Sequence, residues 1–294
     1  MLRIAVIGAG AQETQNAGSR LRGALLEACG AGSAGEPLQT AQAVAFVSRE
    51  AADPDAVARA LSARQHVLLA TVIGSPPQQL DRLSQLASEQ GVLLTITRPD
   101  RALPSRRLIR QQIENGKLGD IGLVRICRGE PASKIDSSSP RLPSALISDI
   151  DLAIWLVGRA PETAYAVQRN GQQAEQRCIQ VHLGFSGGGM ALVTHTSVWP
   201  SQDAHQSVSV IAAGGAAYSD GHQNRQLLFS NGSASAPIAD EGPVLTALLS
   251  DFVDQVQSGG SCASHDPSWR QLAIVVAAVE QSIASGDAVP VECP

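Results

Sequence analysis

The chain opens on Arg3-Ile4-Ala5-Val6-Ile7-Gly8-Ala9-Gly10, a run of β-branched and small apolar residues that ends in glycines. A strand buried on both faces reads this way, because neither face has to meet water. Ala17, Leu21, Leu25, Leu26 and Ala28 then fall at helical spacing until Gly30 to Gly35 and Pro37 break the pattern. Ala43 to Val47 predicts the second strand, Asp53-Pro54 starts a short helix through Leu61, and His66 to Val72 predicts the next strand. Pro76 and Pro77 open a helix with Leu80, Leu83, Leu86 and Ala87 on one face. It stops at Gly91, and Val92 to Ile96 is again continuously apolar. Apolar strands alternating with helices predict an α/β domain over residues 1–115, a Rossmann-like, doubly wound parallel sheet covered on both faces.

Past Gly116-Lys117-Leu118-Gly119-Asp120 the period changes. Gln180 to Phe185 alternates polar with apolar and meets Met190 to Val198 across Ser186-Gly187-Gly188-Gly189, the pattern of a hairpin with two unlike faces. Ser207 to Ala212 and Gln226 to Phe229 continue as strands, and Val244 to Val256 and Trp269 to Ile283 are amphipathic helical stretches. Residues 116–294 are thus expected to form an α+β domain with a mostly antiparallel sheet for substrate binding and oligomerisation, its C-terminal helix free to pack back on the first domain. The broad free face of such a sheet predicts a homo-oligomer.

Composition narrows the function. The 294 residues are 44% hydrophobic and 17% charged, with net charge −5 and no long block of one sign, so a nucleic-acid partner is not expected. No apolar run approaches a membrane span, and the opening segment lacks the features of a signal peptide. Five cysteines stand singly at 29, 127, 178, 262 and 293, without metal-ligand spacing, which fits a reducing cytoplasm and no metal site. Aromatic residues are only 3%, so the cores are built from Ala, Val, Leu and Ile.

Gly8-x-Gly10 after the first strand begins a dinucleotide fingerprint, in which glycines let a pyrophosphate approach the following helix N-terminus. Glu13 stands where the third glycine would fall and adds bulk and negative charge there. The expected cofactor is therefore NADP or NAD, bound weakly or lost, with Gly8, Gly10, Ala11, Gln12 and Thr71 among its contacts. Ser48-Arg49, read at the end of the second strand, suits a 2′-phosphate better than the ribose hydroxyls of NAD, although Arg49 would equally serve as a solvated loop cation. Lys134 lies in a Ser-rich loop, and His182, His195, His205 and His222 fall on strands and loops without a partner legible in the sequence.

The run Ser148-Asp149-Ile150-Asp151-Leu152-Ala153-Ile154-Trp155-Leu156-Val157-Gly158, followed by Ala160-Pro161, resembles the interdomain helix of the glucose-fructose oxidoreductase/inositol dehydrogenase (Gfo/Idh/MocA) family. Lys117 to Gly122, Val210 to Tyr218 and Asp251 to Gly259 are similar to other marks of that family, and the resemblance spans nearly the whole chain. It implies NAD(P)-dependent hydride transfer to or from a small metabolite. It also implies a catalytic set of a Glu-Lys-Pro lysine, an Asp and a His four residues later. The matching positions here are Thr97-Arg98-Pro99, Ser144 and Ser148, so the lysine has become Arg98 and the proton-relaying pair two serines. Arg98 can hold an anionic group, and would also touch the nicotinamide, but arginine is a poor proton shuttle. Two readings stay open: an oxidoreductase with altered or lost proton relay, or a non-catalytic nucleotide- or metabolite-binding sensor.

Overall fold

The computed structural model describes residues 1–29, 40–47, 52–70, 77–131, 142–171, 176–198, 204–220, 225–230, 233–235, 244–259 and 268–292. They fall into two compact units, Met1–Leu103 with Glu241–Pro267, and Pro104–Asp240 with Ser268–Pro294.

In the first unit β1 (Leu2–Ile7), β2 (Ala24–Cys29), β3 (Ala43–Phe46), β4 (His66–Leu69) and β5 (Leu94–Ile96) form a sheet in the order β2-β1-β3-β4-β5. Every pairing in it is parallel. The helices between them are α1 (Ala11–Gly18), α2 (Pro54–Ser62) and α3 (Pro77–Gln90), and α4 (Pro99–Ala102) follows β5. α2 starts where the sequence said it should, because the Asp53 side chain accepts the Ala56 N–H at 3.2 Å and Pro54 needs no donor partner. β3 is buried at all four positions, as a strand covered on both faces must be.

Three features differ from the sequence reading. The Leu25-Leu26 stretch is a strand, not the end of a helix: α1 stops at Gly18, and Gly23 at φ +84 turns the chain into β2. β2 is the sheet edge, where Leu25 remains 46% exposed beside Glu27. The division of the chain falls at Leu103 rather than at 115, because α5 (Pro104–Glu114) buries Ile109 in the second unit's core. Finally, α7 (Val244–Gln257) belongs to the first unit, where Leu248, Leu249, Phe252 and Val253 pack with Ile4, Val6, Ala45 and Leu68. Phe252 is fully buried, and truncating such a side chain to alanine costs about 3–5 kcal/mol.

The second unit is built on nine strands, β6 (Ile121–Gly129), β7 (Pro161–Asn170), β8 (Arg177–Phe185), β9 (Met190–Thr196), β10 (His205–Ala212), β11 (Gly215–Asp220), β12 (Arg225–Ser230), β13 (Ser233–Ser235) and β14 (Val289–Pro290). Their order is β13-β12-β11-β10-β6-β9-β8-β7-β14. All neighbours are antiparallel except β6 and β9. The β8–β9 hairpin is as expected, with Gly184 opposite Met190. Two helices, α6 (Ser144–Val157) and α8 (Ser268–Ser285), cover one face, and Val124, Ile126, Val181, Val193 and Val208 meet Leu146, Ile150, Ala153 and Val279 there. Ser282 of α8 ties the helix to β7 by accepting the Ala166 N–H at 2.9 Å and donating to the Asp287 carbonyl at 2.6 Å. Arg110 of α5 donates to the Trp155 carbonyl at the C-terminal end of α6 at 2.7 Å, with its guanidinium 5.6 Å from the Trp155 ring centroid. Gly119 and Gly214 let two turns touch: the Gly214 N–H donates to the Leu118 carbonyl at 2.8 Å, and a Cβ at Gly214 would stand 3.1 Å from that oxygen. The opposite sheet face carries Arg125, Cys127 and Leu192, with Tyr165, Met190, Ile211 and Tyr218 exposed.

Candidate functional site

The first unit offers one preformed anion cradle. β1 ends at Ile7, Gly8 turns the chain at φ +95, and Gly10 caps α1 without any side chain occupying the free N–H groups. A Cβ built on Gly10 meets nothing within 4 Å, so the space above the turn is open. Gly8, Gly10, Ala11 and Gln12 are therefore brought together at the C-terminal end of β1, one strand in from the β2 edge, at the end of the sheet where doubly wound folds bind their ligands. This geometry fits a dinucleotide's pyrophosphate. Glu13 is exposed in the first turn of α1, and Gln12 donates to Asn16 at 3.1 Å.

Ser48, Arg49 and Thr71 lie outside the described residues. In the chain, Ser48-Arg49 follows β3, the third strand, since β2 is Ala24–Cys29. The residue at the end of the true second strand is Cys29, buried, with burial and then Glu27 pushing its thiol pKa up. Arg98 follows β5, three strands out from β1, roughly 14 Å along the sheet edge at ~4.8 Å per strand. It is buried, at the N-cap of α4.

In the second unit Ser144 and Ser148 lie one turn apart on α6, both half-buried. Beneath the helix the sheet's covered face ends in a row of polar side chains, of which the sequence reading had named only His195. Gln206, Arg128 and His195 stand opposite one another on β10, β6 and β9. Asp149 of α6, wholly buried, accepts Arg128 Nε at 2.8 Å, Arg128 Nη2 at 2.7 Å and Gln206 Nε2 at 2.6 Å. Gln206 in turn accepts Arg106 Nη2 at 3.0 Å, and Arg106 also donates to Ser219. His195, wholly buried, places Nε2 3.3 Å from Glu130 Oε2. Each of these polar residues extends an apolar alternation by one step: Val124-x-Ile126-x-Arg128, Ala191-x-Val193-x-His195, and Gln206-x-Val208-x-Val210. That phase was the available signal. His182 faces the opposite side of the sheet against Tyr165, His205 lies 3.8 Å from Asp220, and Lys134 and His222 fall outside the described residues. Among the described residues no three His, Cys, Asp or Glu side chains converge as a metal site.

The profile of an oxidoreductase family's C-terminal alpha/beta domain, that of Gfo/Idh/MocA, matches residues 110–283. The chain belongs to that family. Solved structures with the same fold include an oxidoreductase from Agrobacterium radiobacter in complex with NAD+, L-tartaric acid and magnesium, at 14% identity, TM-score 0.78, covering 99% of this chain and 98% of that one. A levoglucosan dehydrogenase in complex with NADH and L-sorbose matches at 13% identity, TM-score 0.76, over 99% of each chain. UDP-N-acetylglucosamine 3-dehydrogenase from Acidithiobacillus ferrooxidans matches at 17% identity, TM-score 0.75, over 96% of this chain and 97% of that one. No curated protein matches the chain in sequence. No helix of the described residues is long and apolar enough to cross a membrane.

Proposed function

We propose that the protein is an NAD(P)-dependent oxidoreductase acting on a small hydroxylated metabolite. The observation that carries this is the open glycine turn between β1 and α1 at the C-terminal edge of an all-parallel sheet, in a chain of an oxidoreductase family. Bound there, the nicotinamide cofactor would supply the hydride acceptor or donor. The protein's part is to hold the pyrophosphate on the N–H groups of Ala11 and Gln12 and to keep Gly10 clear of it. Arg98, at the same C-terminal end of the sheet, would provide a fixed positive charge for an anionic substituent. The weak binding expected from Glu13 belongs to this proposal, since a carboxylate in the first turn repels the phosphates.

The exposed sheet face with Tyr165, Met190, Ile211 and Tyr218 is proposed as the contact between copies of the chain, giving a homo-oligomer. A second reading, a non-catalytic metabolite-binding protein of the same family, is favoured by one observation: serines at 144 and 148 on α6, neither of which holds a proton-accepting group at neutral pH. Titration with NADH and NADPH, followed by nicotinamide fluorescence, tests the shared premise. Saturable binding of either supports it, and binding of neither at millimolar concentration refutes it.

A further inference from the structure

The strand registers arrange the uncovered face of the second unit's sheet in rows. Tyr165, His182, Leu192, Arg125, Ser209 and Tyr218 stand opposite one another across β7, β8, β9, β6, β10 and β11. Two residues along the strands in one direction lie Met190, Leu123 and Ile211, and in the other Gln180, Thr194, Cys127 and Ser207. The face therefore grades from apolar to neutral polar. Arg125 is the fixed charge of the middle row, and Asp220 stands at the far corner, opposite Ser207 and 3.8 Å from His205.

A second copy of the chain is the occupant this surface suits. Six strands at about 4.8 Å and three rows spanning about five residues at ~3.3 Å give a footprint on the order of 29 by 17 Å. That is roughly 500 Å² per copy and about 1,000 Å² for a pair, the size at which specific interfaces begin. Tyr165, Met190 and Tyr218 are exposed, and Arg125 lies among them, residue types enriched where protein surfaces meet.

His182 is half-buried in the middle row, its ring centroid 6.1 Å from that of Tyr165 with the planes tilted by 57°. Tyr165, Thr163 and Val167 of β7 flank it on one side and Leu192, Met190 and Thr194 of β9 on the other, with Arg125 and Cys127 one strand further on β6. No carboxylate stands opposite or diagonal to it. Arg125 lies two strand spacings away, about 10 Å, and Glu162 and Arg169 fall towards the two ends of β7. In a single copy, water reaches this ring and solvates an imidazolium. Beneath a second copy the same charge is buried among apolar side chains with a cation across Leu192, and both effects disfavour it.

Resting on the reading of this face as the contact between copies, we propose that the contact is a pH switch: two copies associate with His182 neutral and separate when it takes up a proton. Protons then bind the single copy more readily than the pair. Association is strongest above the range in which imidazoles ordinarily titrate, and it falls as the pH is lowered through that range. Each copy contributes one His182, so a loss of roughly tenfold per ring becomes about 100-fold in the dissociation constant between pH 7.5 and pH 5.5. His205 has the Asp220 carboxylate beside it, so a proton there adds a charge that is already matched.

Sedimentation equilibrium of the full chain at pH 7.5 and pH 5.5 reads the dissociation constant, and far-ultraviolet circular dichroism checks that the chain stays folded. The wild type is expected to associate at micromolar concentration at pH 7.5 and about 100-fold more weakly at pH 5.5. His182→Gln and His182→Phe are expected to associate equally at both, and His205→Gln to keep the pH dependence. Met190→Glu, which charges the apolar row, is expected to separate the copies at either pH. Equal association of the wild type at the two pH values overturns the switch and leaves the contact standing. So does a pH dependence that survives in both His182 variants, or one that appears only together with loss of the circular dichroism signal. A wild type that stays monomeric at pH 7.5 at high micromolar concentration overturns the contact itself, and the switch with it, as does Met190→Glu associating as tightly as the wild type.

Discussion

Asp149 is where the fold commits most to a single charge. Its carboxylate is wholly buried under α6 and takes three donors, two from Arg128 at 2.7 and 2.8 Å and one from Gln206 at 2.6 Å. Asp149→Leu would fill similar volume but remove the carboxylate that pairs with the Arg128 guanidinium beneath a helix. Removing one partner of a buried pair costs about 3–5 kcal/mol, while replacing both by apolar residues is often neutral. Arg128 keeps 16% side-chain exposure, so it can turn partly toward water, and the lower end of that range, about 3 kcal/mol, is the expected loss. For a unit of this size that corresponds to a fall in Tm of roughly 6–12 °C. The double variant Asp149→Leu with Arg128→Met should recover most of the loss, since both charges of the pair are removed together. Scanning calorimetry of the wild type, both single variants and the double variant closes the cycle. A loss below about 1 kcal/mol in Asp149→Leu would refute the reasoning, because it would place the pair with exposed ion pairs. Additive losses in the double variant would refute it equally, by showing no coupling between the two side chains.

The fold was legible wherever one hydrophobic period ran uninterrupted. β1, β3 and β4 are continuous apolar runs and lie in the centre of a parallel sheet, and the alternation of β8 and β9 marks a hairpin with one covered face. β2 was misread because an edge strand with Leu25, Leu26 and Ala28 satisfies helical spacing as well as an extended run, and only Gly23 at φ +84 separates it from α1. That one error placed Arg49 after the second strand, whereas it follows the third. The place of α7 was not legible at all. Its apolar face fits any sheet, and its partners lie more than 170 positions earlier in the chain, at Ile4, Val6, Ala45 and Leu68. The polar row under α6 shows the opposite case. Arg128, His195 and Gln206 sit in phase with the apolar positions of their strands, but a phase rule reads them as core errors or strand ends until pairing brings them abreast.

Three further outcomes are expected. Glu13→Gln should tighten NADH and NADPH by roughly three- to tenfold at low salt, less at high salt, because an exposed carboxylate in the first turn of α1 no longer opposes the phosphates; calorimetric affinities unchanged by the substitution would show that the phosphates do not lie on that turn. Arg110→Ala should cost about 1–2 kcal/mol by removing the donor at the Trp155 carbonyl and the cation over the indole, and Arg110→Lys should recover little of it; a urea midpoint within error of the wild type would refute this. His66 sets a pH dependence. Its Nδ1 accepts the Leu93 N–H at 3.0 Å, which requires the neutral ring, and burial lowers its pKa from the ordinary 6.5. The unfolded chain therefore binds this proton more readily than the folded one, so the stability tied to His66 is complete above about pH 6.5 and declines as pH falls from there toward the folded pKa. His66→Gln, whose side-chain oxygen can still accept from Leu93, should flatten that part of the profile between pH 7.5 and pH 5. Urea midpoints measured across this window decide it: an equal slope in the wild type and His66→Gln would mean that the proton goes elsewhere, and that the Leu93 bond does not hold the imidazole neutral.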